Sequence, residues 1–202
     1  MAAKSTLRNM VLCLTLVCLL CSAILGVVYA VTYDPIQKAS QKALQEALSL
    51  VLPSEGTVST EGKTINYNGA DYQYYEQKLG DETSAWAVKS SVNGFGGPLT
   101  VLVGIQKGGK VFCTKVLEHS ETPGLGAKCQ TDEGFLDQFK GFDAKAGKLA
   151  VRKDGGDIDA ITASTITSRA YTLAVANAVT VAGMLESPAN DNVIEMEGGY
   201  DE

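Results

Sequence analysis

The sequence predicts an α+β fold: a single N-terminal transmembrane helix, then an extracytoplasmic domain with a curved antiparallel sheet packed by helices. Three observations carry this reading. Residues 10–31 hold no charge, and about 22 such residues suffice for a helix to cross ~30 Å of hydrocarbon. Strand-forming runs at 99–106 and 110–117 flank Gly108-Gly109, a hairpin signal. Residues 165–185 form a second long apolar segment, opened by a cluster of hydroxyls. Strands that include an antiparallel hairpin, followed by a helix, place that helix as a layer on the sheet.

The N-terminal elements follow from charge and spacing. Lys4 and Arg8 precede the apolar stretch, so the positive-inside rule puts residues 1–9 in the cytoplasm and everything after Thr32 outside. A cleaved signal peptide is the competing reading. Its apolar core is usually shorter, roughly 7–15 residues, and Ser22-Ala23 is a weak cleavage site, so a retained helix at 10–31 is preferred. Cys13, Cys18 and Cys21 lie inside it. The face shared by Cys18 and Cys21 at i, i+3 allows a metal, but small polarizable packing residues are the simpler reading. A helix then starts at Asp34-Pro35, with an acid at the N-cap and proline at the first helical position. Ile36, Ala39, Ala43, Leu44, Ala47, Leu48 and Val51 recur at helical spacing, and Pro53 ends the run. Residues 32–53 are therefore a linker helix with one apolar stripe, offered to the domain or to a partner protein.

Residues 54–186 form the domain. The polar, tyrosine-rich stretch 54–80 reads as short strands and turns, and 86–91 as a strand. Asn93-Gly94-Phe95-Gly96-Gly97-Pro98 reads as a tight turn that permits close backbone approach. A short helix is expected at 133–139, with Phe135, Leu136 and Phe139 on one face, and a further strand at 149–152. The helix at 165–185 carries Arg169, which is expensive in lipid, so it belongs on the sheet rather than in a membrane. Residues 187–202 form an acidic tail.

Removing Lys4 and Arg8 from the 17 basic and 23 acidic residues of the chain leaves 15 against 23. A net charge near −8 for the outer part argues against nucleic acid and against docking on an anionic membrane surface. Outside the membrane a disulfide is permitted, which leaves pairing of Cys113 with Cys129 open.

Most enzyme chemistry lacks its parts. One histidine, His119, excludes a two-histidine metal site, and there is no Gly-x-Ser-x-Gly elbow, strand-linked GxGxxG or P-loop. Two stretches remain. His119-Ser120-Glu121-Thr122-Pro123-Gly124-Leu125-Gly126 follows a strand directly. It is either a plain Pro-Gly turn or a loop that brings backbone N–H groups against a flat ligand or an anion. Asp159-Ala160-Ile161-Thr162-Ala163-Ser164-Thr165-Ile166-Thr167-Ser168 places hydroxyls where a long helix begins. Such a cluster serves as a cap, as a phosphate site at a helix N-terminus, or as an attachment point.

Together, these two stretches resemble the FMN-binding domain of the membrane flavoproteins RnfG and NqrC. The 93–98 turn, the single anchor and the helix ending in Val51-Leu52-Pro53 agree in order, and the resemblance covers roughly residues 5–185. It implies FMN joined through its phosphate to a threonine hydroxyl. Asp159 takes the acid position of the attachment pattern, Thr162 a hydroxyl position and Thr165 the flavinylated threonine. Ala163 stands for the usual glycine and Ser164 for the usual alanine, which makes Ser164 a minor competing acceptor. On this reading Thr162, Ser164, Thr167 and Ser168 donate to phosphate oxygens, Arg169 helps neutralise the charge, and the helix dipole favours the anion. Glu121, Thr122, Gly124, Leu125 and Gly126 lie against the flavin or its tail, with His119 in support.

The function so implied is electron relay within an ion-translocating membrane oxidoreductase of the Rnf type, which links ferredoxin and NAD. Its partners are sister membrane subunits and a flavin transferase that attaches the FMN. The alternatives are NqrC of an Nqr-type NADH:quinone complex, a stand-alone FMN-binding domain of an extracytoplasmic reductase, and, in another class, a membrane-anchored binding module without cofactor.

Overall fold

The structure is a computed structural model that describes residues 7–59 and 61–187. Lys4 and all of the expected acidic tail except Ser187 lie outside the described residues.

Helix α1 runs Leu7–Val51. Every side chain from Leu7 to Ala43 is exposed, and this stretch forms a unit separate from the rest of the chain. Among the described residues, α1 is the one helix long and apolar enough to cross a membrane. It does not restart at Asp34-Pro35 as the sequence predicted: Pro35 sits inside a continuous helix. Proline deletes one i→i−4 bond and crowds the preceding turn. The turns on either side carry the helix across, and Thr32 Oγ1 donates back to the Val28 carbonyl at 2.7 Å.

The second unit begins at Leu44. After β1 (Thr57–Val58) and β2 (Lys63–Tyr67) come four longer strands: β3 (Ala70–Leu79), β4 (Glu82–Asn93), β5 (Pro98–Gln106) and β6 (Lys110–His119). All pair antiparallel, in the order β1-β3-β4-β5-β6, with β2 also on β3. Two short helices, α2 (Lys128–Thr131) and α3 (Glu133–Leu136), lead into a 3-10 turn at Asp137–Phe139. Another 3-10 turn, Arg152–Asp154, precedes α4 (Thr165–Glu186).

Both faces of the sheet are covered, which explains why β5 is predominantly apolar and buried without a break from Leu99 to Ile105. A strand covered on both sides has no solvent face to make polar. On one face Trp86, Val88, Val101, Val103 and Ile105 pack against Tyr171, Ala174, Val175, Ala178 and Val181 of α4. On the other, Ala47, Leu48, Val51 and Leu52 at the end of α1 pack on Tyr75, Ala85, Ala87 and Leu102. The buried Gln77 ties this helix exit down, its Nε2 donating to the Pro53 and Glu55 carbonyls at 2.6 and 2.8 Å.

Gly104 makes the approach of α1 feasible, because a Cβ there would run into the Val51 carbonyl oxygen. Gly104→Ala must push the helix end off the sheet. We expect a loss of about 1–3 kcal/mol, the usual cost of overpacking, measured as a lowered denaturation midpoint of the detergent-solubilised full chain.

The strand expected at 149–152 is not formed. Val151 makes a single parallel bridge with Ile158 across a tight loop, and the chain turns at once into the 3-10 segment. The start of β6 bonds instead to the chain at 141–142, Val111 N donating to the Phe142 carbonyl and Gly141 N to that of Val111.

Candidate functional site

Three segments meet where α4 begins. The first is the β4–β5 turn, closed by Gly94 N donating to the Gly97 carbonyl at 2.8 Å. It presses on the next segment so closely that a Cβ at Gly96 would meet the Ser120 carbonyl. The second is the loop after β6. Its Thr122 carbonyl accepts from Leu125 N and Ala127 N at 3.2 and 3.1 Å, and Gly124 takes φ +77° to close the turn. The third is 159–164. Gln138 holds its start by trading hydrogen bonds with the Asp159 backbone, while the Asp159 carboxylate pairs with Arg152 at 2.9 Å.

Between these segments lies a cavity of about 340 Å³, within the ~300–1,000 Å³ range of small-ligand sites. Phe95 contributes from the first segment; Glu121, Thr122, Leu125 and Gly126 from the second; Ala163 and Ser164 from the third; and Thr165, Ile166 and Thr167 from the first turn of α4.

Glu121 locks the segments together. It is 5% exposed. Its Oε1 accepts from Phe95 N and its Oε2 from Thr167 Oγ1, both at 2.8 Å. Gly94 and Gly126 leave room for it, since a Cβ on either would strike a carboxylate oxygen. His119 supports the loop: its Nδ1 accepts from Glu121 N at 3.2 Å, which leaves Nε2–H facing Gln130 Oε1 at 3.1 Å.

The helix start is unusual. Ser164 is the N-cap of α4 but makes no side-chain cap bond, so the first-turn N–H groups, which have no intrahelical partner, are not taken up by its hydroxyl. Ser164 Oγ is itself buried without a partner. Thr165 is half-buried at the first helical position. Ala163 lies in the left-handed region at φ +63°, which costs a residue with a Cβ about 1 kcal/mol or more. The glycine usual there in the resembling family would carry no such strain. Ala163→Gly is expected to range from neutral to about 1 kcal/mol more stable, relief of strain outweighing the added freedom of the unfolded chain, as checked by thermal unfolding.

Of the residues singled out in the sequence, the structure brings Thr165, Ser164, Thr167, Glu121, Thr122, Leu125 and Gly126 to the cavity. Thr162, Gly124 and Ser168 do not line it. Ser168 is fully buried. It accepts from Ile161 N at 3.0 Å and donates to the Ser164 carbonyl at 2.9 Å, so its proton serves the fold and is not available to a phosphate. Arg169 is also committed elsewhere, to Asp154 at 2.6 and 2.7 Å. That pairing holds the Asp154 carboxyl below its ordinary range and turns the guanidinium away from the role expected of it. Phe95, Ala163 and Ile166 line the cavity and were not anticipated. The signal for Phe95 was an aromatic set between glycines in a turn, and it is 68% exposed.

Cys113 and Cys129 are both free thiols. Cys129 is fully buried, and burial, helped by the charge of Glu121, pushes its thiol up to about 11. In the native domain an alkylating reagent at pH 8 is expected to modify the half-buried Cys113 and to reach Cys129 only after unfolding, as read by peptide mass mapping.

The family model for an FMN-binding domain matches residues 94–180, which include all three segments, and the model for the RnfG N-terminal region matches residues 1–51. The G subunit of the ion-translocating oxidoreductase complex of Shewanella piezotolerans is 32% identical over 186 residues, 85% of this chain and 87% of that protein. The chain belongs to the RnfG family, the G subunits of ion-translocating oxidoreductase complexes. Another RnfG-family member, the G subunit of the proton-translocating ferredoxin:NAD(+) oxidoreductase complex of Clostridium ljungdahlii, is 37% identical over 169 residues, 82% of this chain and 86% of its own. The RnfG fold extends further. The crystal structure of the C subunit of the Na(+)-translocating NADH-quinone reductase from Parabacteroides distasonis superposes with a TM-score of 0.53, covering 77% of this chain and 97% of that one at 17% identity.

Proposed function

We propose that this chain is the flavin-carrying member of an Rnf-type, redox-driven ion translocase, with FMN esterified through its phosphate to Thr165. The observation that carries this is the cavity itself. It is closed on one side by the uncapped start of a 22-residue helix, and Thr165 is among the residues that line it. Uncapped N–H groups and the positive end of the helix dipole suit a phosphate, and the orphaned Ser164 hydroxyl adds a donor.

Bound FMN would supply one- and two-electron chemistry. The protein's part is to hold and seclude it. Glu121 keeps the cavity walls together, and Phe95, Leu125 and Ile166 give the mouth an apolar rim. A flavin transferase using FAD is the implied partner for attachment. Thr165 Oγ attacks the phosphorus on the riboflavin side of FAD, the pyrophosphate bond breaks, AMP leaves with the bridging oxygen, and the threonine proton is released. The other implied partners are the membrane subunits of the complex, contacted by α1. The N-terminus is cytoplasmic and the FMN domain extracytoplasmic, on the strength of Lys4 and Arg8. There the covalent bond has a reason, because dissociated FMN would be lost to dilution. For the Nqr reading there is a likeness of fold alone.

The test is the intact mass of the chain co-expressed with its transferase and sister subunits. A mass of apoprotein plus one FMN less one water is expected, with flavin fluorescence kept after denaturation and co-purification of several multi-spanning subunits. A chain of unmodified mass from a strain in which the complex is active would overturn the reading.

A further inference from the structure

Of the residues that line the cavity, Glu121 is the one that can carry a charge. It is buried, and both its oxygens accept, Oε1 from Phe95 N and Oε2 from Thr167 Oγ1. A carboxyl group that only accepts is an ionised one. Both donors are neutral, and no base lines the cavity. The two arginines of this region are spent elsewhere, Arg169 on Asp154 and Arg152 on Asp159. The charge reaches its surroundings, since it adds to burial in pushing the Cys129 thiol up to about 11. The other field at the cavity is the positive end of α4, which the phosphate of the proposed ester offsets. The clasp itself does not need the charge. An amide of the same shape can accept from Phe95 N and donate to the Thr167 hydroxyl. Burying a charge without an opposite partner is costly, so the charge calls for a role beyond the clasp.

We propose that the carboxylate of Glu121 holds down the reduction potential of the bound flavin, which makes it a stronger electron donor than the same flavin in a neutral cavity. The inference rests on the FMN reading above. A flavin ring that takes up two electrons and one proton gains one negative charge, and Glu121 repels that charge. At a separation of about 10 Å, the scale of a cavity of about 340 Å³, and an effective dielectric of about 20, one unit charge biases the balance of oxidised and reduced forms by roughly tenfold. This repulsion acts through space, so it requires no contact between the carboxylate and the ring. Glu121 thus has two separable duties: its shape joins the cavity walls, and its charge sets the potential inside them.

The experiment uses the detergent-solubilised, flavinylated full chain and reads the midpoint potential by spectroelectrochemistry at pH 9, where reduced flavin carries one negative charge. Glu121→Gln keeps the shape of the clasp and removes the charge. It is expected to favour the reduced flavin by about tenfold, a rise of roughly 30 mV for a two-electron couple. Thr167→Val removes one donor of the clasp and keeps the charge, so its potential is expected to stay at the wild-type value or to fall. The proposal is overturned by a Glu121→Gln potential equal to or below that of wild type. It is also overturned if Thr167→Val raises the potential as much as Glu121→Gln does, which would trace the shift to a loosened clasp. If Glu121→Gln carries no flavin, Thr167→Val decides: a raised potential overturns the proposal, and an unchanged or lowered one supports it. If wild-type protein carries no FMN mass, the parent reading has failed; if it does and the potentials do not move as stated, only the role of the Glu121 charge falls.

Discussion

Thr165→Ala is expected to yield a folded, membrane-bound chain that lacks the mass of esterified FMN and loses all flavin fluorescence on denaturation. The effect is all-or-none because the substitution deletes the one hydroxyl proposed to form the ester. Stability should change little, by well under about 1 kcal/mol, since alanine is a good helix former and the half-buried Thr165 side chain leaves no large void. Of the neighbouring hydroxyls, Thr167 is engaged by Glu121, Ser168 by the backbone, and Ser164 is buried. Persistence of the mass increment in Thr165→Ala, located elsewhere by peptide mapping, would show that the acceptor has been misassigned.

Glu121→Ala is expected to destabilise the domain strongly. Two donors on different segments, Phe95 N and Thr167 Oγ1, lose a buried carboxylate, and hydrogen bonds to charged groups contribute roughly 1.5–3 kcal/mol each. Because the two are coupled, we expect a loss of about 3 kcal/mol, or a melting temperature lower by about 6–12 °C, together with poor FMN loading as the cavity walls separate. Glu121→Gln separates shape from charge. Its amide oxygen can accept from Phe95 N and its NH₂ can face the Thr167 hydroxyl, so it should stay within about 1 kcal/mol of wild type and load FMN. Equal damage from glutamine and alanine would mean that the negative charge, rather than the clasp, matters.

What the sequence disclosed divides by the range of the forces involved. The Gly108-Gly109 hairpin and the helix from Thr165 were legible because turn chemistry and helical periodicity act within a few residues. The antiparallel sheet with a helix layer followed from them. The restart at Asp34-Pro35 was a local rule applied where the flanking turns outweighed it. The role expected of Arg169 failed because its partner, Asp154, lies fifteen residues back and is brought near only by the folded loop. Ser168 shares a helix face with Thr165 by spacing, but its hydroxyl is taken by Ile161 N and the Ser164 carbonyl, bonds to the preceding loop that spacing alone does not show. Glu121 was singled out in the sequence, but its two hydrogen bonds, to Phe95 N and Thr167 Oγ1, depend on tertiary contacts that no spacing in the chain reveals. The single short helix expected at 133–139 is divided into α3 and a 3-10 turn, but its apolar face was legible because Phe135 and Phe139 fall on one side, where they meet Tyr171.

The strained backbone at Ala163 has a consequence for how this site can vary over time. Alanine and glycine codons differ by a single nucleotide, and both residues leave the approach to Thr165 open. A lineage can therefore cross between the two in one step without closing off the proposed acceptor. Any larger side chain would meet the same left-handed backbone and also crowd the acceptor. Position 163 thus favours small residues and residues that tolerate a left-handed backbone.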